Sequence, residues 1–72
     1  MVVYVLEDTG FSRIDFRIHS VWESFSSLEN EIIKFNGDKF LGFNKRGFIW
    51  FGTIEEESYS IELRVKEYPV NF

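Results

Sequence analysis

An α+β fold, a single antiparallel β-sheet of about five strands with one α-helix packed on one face in the order ββαβββ, is predicted by three features of this chain. Several segments are β-branched and aromatic or alternate apolar with polar residues at a period of two. One stretch near the middle switches to helical spacing. Between these segments lie short clusters of Gly, Asn, Asp and Glu with turn chemistry.

Val2–Glu7 is the first predicted strand, apolar on both alternating faces, as an interior strand covered on both sides would be. Asp8-Thr9-Gly10 supplies a turn. In Arg13–Trp22 the even positions Ile14, Phe16 and Ile18 are apolar while Arg13, Asp15, Arg17 and His19 are polar, which predicts a second strand paired antiparallel with the first. His19 falls at an outward position of that strand.

Phe25, Leu28, Ile32 and Phe35 recur at i, i+3, i+7 and i+10, one stripe of a helix of about three turns. Ser26-Ser27-Leu28-Glu29 reads as a capping box, with the Ser26 hydroxyl accepting from the Glu29 amide. Asn36-Gly37 is the expected stop, because glycine enters the left-handed C′ conformation without penalty. Lys39–Phe43 and Phe48–Ile54 flank Asn44-Lys45-Arg46-Gly47 and predict a second hairpin. Glu55-Glu56-Glu57 forms the next loop. Tyr59, Ile61, Leu63 and Val65 then alternate with Ser60, Glu62, Arg64 and Lys66, the clearest strand pattern in the chain.

Residues 1–72 fit a single small α+β domain. A chain of this size buries only about 60% of the surface its unfolded form exposes, and one core of this kind supplies roughly 3–5 kcal/mol. There is no cysteine for disulfides, so nine Phe, three Tyr and two Trp must supply much of the buried area. The first apolar run is only six residues long, with no basic lead, and predicts neither a signal peptide nor a membrane span; a cytoplasmic location is the expectation.

Eight Lys and Arg against twelve Asp and Glu give a net charge of −4, which disfavours general capture of nucleic acid or anionic lipid and favours a partner with a basic surface. The single histidine has no nucleophile arrangement at a recognisable spacing, and no Gly-rich phosphate cradle leads from a strand into the helix. The expectation is therefore a non-enzymatic protein without metal or cofactor.

One helix of this length covers only part of a sheet face, while the second hairpin carries Phe40, Phe43, Phe48, Trp50 and Phe51. Alternation must divide those rings between faces. Either some form a contact patch or they close the rim of a small core. The candidate partner-binding residues are Phe48, Trp50 and Phe51 as anchors with Glu55, Glu56 and Glu57 supplying charge.

Arg46-Gly47-Phe48-Ile49-Trp50 resembles the basic-Gly-aromatic-x-aromatic opening of the RNA-recognition motif, and Val3-Tyr4-Val5 resembles its partner strand. Ile49 and Thr53 depart from that signature, and the family's βαββαβ order differs from the order read here. The resemblance implies a single-strand nucleic-acid module as the alternative function, with Lys45, Arg46, Arg13, Arg17 and Trp50 as its contacts. A self-associating domain, a possible homodimer, is the third reading.

Val3-Tyr4-Val5-Leu6 and Val21-Trp22-Glu23-Ser24-Phe25-Ser26-Ser27-Leu28-Glu29, with a terminal strand over Ile61–Tyr68, resemble small acidic phage-encoded proteins of the anti-CRISPR or host-takeover kind. That resemblance implies an inhibitor acting in the host cytoplasm. It would block a host defence or nucleic-acid-processing protein, such as a CRISPR effector, by steric or acidic-surface occupation.

Overall fold

The structure, a computed structural model, describes residues 1–10 and 15–70. Strands β1 (Val2–Asp8) and β2 (Arg17–Trp22) lead to helix α1 (Phe25–Asn36) and a single 3₁₀ turn (Gly37–Lys39). Strands β3 (Phe40–Arg46), β4 (Ile49–Glu55) and β5 (Ser60–Pro69) follow, which is the predicted ββαβββ order. All five strands join one antiparallel sheet in the spatial order β2-β1-β5-β4-β3.

That order explains the placement of the helix. β2 and β3 occupy opposite edges of the sheet, and the chain between them contains only α1 and the 3₁₀ turn, so the connection must traverse one face. Leu28 and Ile32 point down from α1 and are buried against Leu6 of β1, Ile54 of β4, and Leu63 and Val65 of β5. Leu28 and Val65 are completely shielded from solvent, the best-packed positions of a small core. Around the N-terminal half of α1 the core is extended by rings. Phe25 stands 4.8 Å from Trp50, 5.5 Å from Phe43 and 5.8 Å from Tyr4, and Phe43 stands 5.0 Å from Phe40. Most of the hairpin aromatics therefore close the rim of the core.

Several expectations are corrected by the backbone. The helix starts earlier than the capping box predicts: Ser24 is the N-cap, its hydroxyl accepting from the Ser27 amide at 3.3 Å, so Ser26 lies inside the first turn. Gly37 ends the helix at the expected residue, though at φ 56 and ψ −129 and so outside the left-handed α conformation, and donates its amide to the Ile33 carbonyl. Phe35 does not join the core; it is 73% exposed at the last turn. The second hairpin is tighter than its predicted four-residue loop. Arg46 pairs with Ile49, leaving Gly47 and Phe48 as a two-residue turn, with Gly47 at φ 62 supplying the positive φ such turns require. Phe48 thus sits at the tip, outside β4.

The largest correction concerns β2. Arg13 and Ile14, the start of the predicted strand, lie outside the described residues, and β2 begins at Arg17. Within it Ser20 pairs with Leu6 but Ile18 pairs with Glu7, so His19 is an extra residue, a β-bulge. The bulge shifts the phase of side-chain alternation. Ile18 points away from the helix and is 69% exposed, while His19 turns to the helix side. Nor is β1 covered on both sides, since α1 lies on one face only and Val3 and Val5 remain half-buried on the other. No helix among the described residues is long and apolar enough to cross a membrane.

Candidate functional site: an apolar recess at the acidic end of the sheet

The twelve residues of α1 leave part of their own sheet face uncovered. There a recess of about 510 Å³ opens between the C-terminal half of the helix and the ends of β1, β2, β4 and β5. Leu6, Ile54, Ile61 and Leu63 line its sheet side, with Ile32 and Phe35 on the helix side and Trp22 along β2. Asp8, His19, Glu31 and Asn36 are its polar members. A concave apolar surface of this size with few polar groups has the composition of a binding pocket.

The polar members are positioned by ordinary features of the fold. The Asn36 amide donates to the Ile32 carbonyl at 2.9 Å, fixing the last turn of α1. Trp22 Nε1 donates to the Ser20 hydroxyl at 2.7 Å, and the same hydroxyl lies 3.0 Å from His19 Nδ1. The bulge brings that chain of contacts to the recess. Asp8 ends β1, where the following Thr9 is buried and tied to β5: its amide donates to the Glu62 carbonyl and its hydroxyl accepts from the Glu62 amide, both at 3.1 Å.

Electrostatically the recess carries the carboxylates of Asp8 and Glu31, with Arg17 opposite Asp8 on the same face of the sheet. Register puts Asp8 beside Leu63 and Ile54 beside Ile61 on the recess wall, while Glu55, beside Ser60, falls on the helix-free face at the start of the β4–β5 connection. Glu55 and Glu57 are exposed; Glu56 accepts from Lys39 Nζ at 3.1 Å, which pins the connection to the turn after α1. The Glu56 amide also donates to the Tyr59 carbonyl at 2.9 Å.

The structure separates the residues that the sequence groups as one site. Phe48 is 88% exposed at the hairpin tip, whereas Glu55 lies at the far end of β4, roughly 20 Å away at the usual rise per residue. Trp50 faces the helix, half-buried against Phe25 and Tyr4, with Lys45 Nζ 4.6 Å from its ring centre. Phe51 faces the opposite, helix-free side and is 38% exposed.

The candidate nucleic-acid contacts are likewise dispersed. Lys45 is on the helix side with Trp50; Arg46 pairs with Ile49, whose other neighbour Lys66 is on the helix-free side; Arg17 stands opposite Asp8; and Arg13 is outside the described residues. On the helix-free face Arg64 Nε donates to Glu7 at 2.9 Å and Lys66 lies 3.6 Å from the same carboxylate. The Arg64 guanidinium also lies 4.0 Å from the Phe16 ring. The Arg64 hydrogen bond holds the Glu7 carboxyl below the usual glutamate range, against the opposing effect of burial. Two of that face's cations are thereby committed within the molecule.

Among the described residues no group of three or more His, Asp or Glu side chains is placed to hold a metal ion. The recess itself had no sequence signal: its lining comes from five elements, and His19 enters it only through the bulge. Comparison with known proteins finds no relative: no family model matches the chain, and no curated protein or solved structure matches it.

Proposed function

We propose that this chain is a non-enzymatic protein-binding inhibitor of the phage-encoded, anti-CRISPR-like kind that its sequence resembles. In this reading it acts in the host cytoplasm by occupying a basic surface of a defence or nucleic-acid-processing protein, such as the nucleic-acid groove of a CRISPR effector. The observation that carries the reading is the apolar recess with Asp8 and Glu31 among its lining residues. An apolar side chain from the partner fills the recess, and neighbouring Lys or Arg side chains meet the carboxylates. Burial of the apolar anchor supplies affinity, while charge complementarity supplies register and a fast approach. The net charge of −4 favours the same partners at longer range.

The probe is a capped pentapeptide, Lys-Arg-Phe-Arg-Lys, titrated by calorimetry against the intact protein and compared with its Glu-for-Lys/Arg counterpart. The reading predicts binding of the basic peptide alone, weakened by added salt and weakened several-fold further in Asp8→Asn/Glu31→Gln. Equal binding of both peptides, or affinity unaffected by the double substitution, overturns the charge-complementary site. The same double substitution must abolish any complex retained from nuclease-treated host lysate.

A further inference from the structure

The sheet has two edge strands, β2 and β3, and β2 carries two exposed branched apolar side chains. β3 carries a register irregularity between Phe40 and Phe43, with Gly42 at φ 90, and ends in Lys45 and Arg46; β2 likewise carries the bulge at His19 and begins at Arg17, so a bulge and a terminal cation are common to both edges. β2, with the sequence Arg-Ile-His-Ser-Val-Trp, has no proline and no lysine, and among the described residues it pairs with β1 alone. Among the described residues no strand pairs with the outer edge of β2. Beside that edge, Ile18 and Val21 are 69% and 60% exposed.

Ile18 and Val21 are three residues apart, so regular alternation would place them on opposite faces. The extra residue at His19 places them on the same one: Ile18 pairs with Glu7 and Val21 with Val5, both on the helix-free side of β1. Along β2 the facing order is therefore helix side at Arg17, free side at Ile18, helix side at His19 and Ser20, free side at Val21 and helix side at Trp22. That order reads the same in both directions about a point between His19 and Ser20. Such a palindrome is the condition for two antiparallel copies of a strand to pair about a two-fold axis there, because residues directly opposite must share a face.

We infer that β2 pairs with β2 of a second copy of this chain about a dyad between His19 and Ser20, joining the two sheets into one of ten strands. Ile18 of each copy then stands opposite Val21 of the other, forming two apolar cross-strand pairs on the helix-free face. Arg17 stands opposite Trp22 of the other copy on the helix side, a cation against an aromatic ring. Without the bulge an odd register of this kind would set each apolar side chain against the wrong face. The proposal is independent of the recess reading and stands if that reading fails.

The chain contains no cysteine, so disulfide trapping reports the register cleanly. Directly opposed residues have Cα atoms close enough to bridge, whereas residues displaced along the strand do not. An equimolar mixture of Ile18→Cys and Val21→Cys should form a cross-linked dimer under mild oxidation, with much lower yield from either variant alone. Sedimentation of the unsubstituted protein should show its mass rising with concentration towards twice 8.6 kDa, and Val21→Lys should hold it at the monomer mass with an unchanged far-UV spectrum. A monomer mass for the unsubstituted protein throughout the micromolar to millimolar range overturns the inference. So do cross-link yields that are equal in the single variants and the mixture.

Discussion

The two faces of the sheet are built from the same strands and much the same residue types, yet they differ in what they do. On the helix side Leu6, Ile54, Leu63 and Val65 are buried under Leu28 and Ile32. On the other side Val3, Val5 and Ile49 are half-buried, and Ile18, Val21 and Tyr68 are largely exposed around the Glu7–Arg64–Lys66 ion pairs. An apolar residue in a strand therefore records only that the position tolerates burial; the helix decides which face becomes core. Trp50 and Phe51 show this at adjacent positions, one in the aromatic rim beneath α1 and the other facing solvent.

Truncation on the two faces should separate them most sharply. Leu28→Ala empties a completely buried site and should cost about 3 kcal/mol, enough to leave a domain with roughly 3–5 kcal/mol of stability largely unfolded. Val21→Ala or Phe48→Ala should shift urea unfolding by no more than about 0.5 kcal/mol. A Val21→Ala loss equal to that of Leu28→Ala, measured at low protein concentration, would mean that the free face is covered.

The next largest effect comes from Gly52 on the covered face of β4. A methyl group there would stand 2.9 Å from the Phe43 ring and 3.1 Å from the Gly42 carbonyl oxygen. Gly52→Ala should cost about 1–3 kcal/mol and disturb the Phe25 and Phe43 ring resonances, whereas Thr53→Ala on the helix-free side should leave them in place. Helix capping gives a smaller contrast. Ser24→Ala should cost about 1 kcal/mol and Ser26→Ala close to none. The reverse order would restore the capping box read from the sequence.

The smallest effect belongs to the free face. Because the folded pKa of Glu7 is lowered, its contribution to stability is present above the unfolded glutamate pKa and is lost as pH falls through the folded value. Partial solvent access and salt limit that contribution to roughly 0.2–1 kcal/mol. Glu7→Gln should flatten the acid limb of stability against pH by that amount; an unaltered limb would show that the ion pair with Arg64 contributes nothing.

Much of the fold was legible because it rests on local pattern. The alternation of Tyr59–Lys66, the Phe25–Leu28–Ile32 stripe and the Asn36-Gly37 stop each correspond to an observed element. What escaped depends on contacts between distant segments. The strand order, with β1 between β2 and β5, leaves no local trace, and neither does the bulge at His19 that turns Ile18 outward. The grouping of Phe48, Trp50 and Phe51 with the glutamate run followed chain proximity, which a seven-residue strand converts into separation. The recess lies where a twelve-residue helix leaves part of a five-stranded sheet uncovered.

The central claim, that the partner site lies at the recess and not at the aromatic hairpin, can be tested with the protein's two indoles. Trp22 lines the recess, while Trp50 lies in the rim beneath α1 on the hairpin. In a nitrogen–proton correlation spectrum, titration with the capped Lys-Arg-Phe-Arg-Lys peptide should move the Trp22 indole signal with saturable, salt-sensitive shifts and leave Trp50 nearly fixed. Movement of Trp50 with a stationary Trp22 would place the contact on the hairpin and contradict the account.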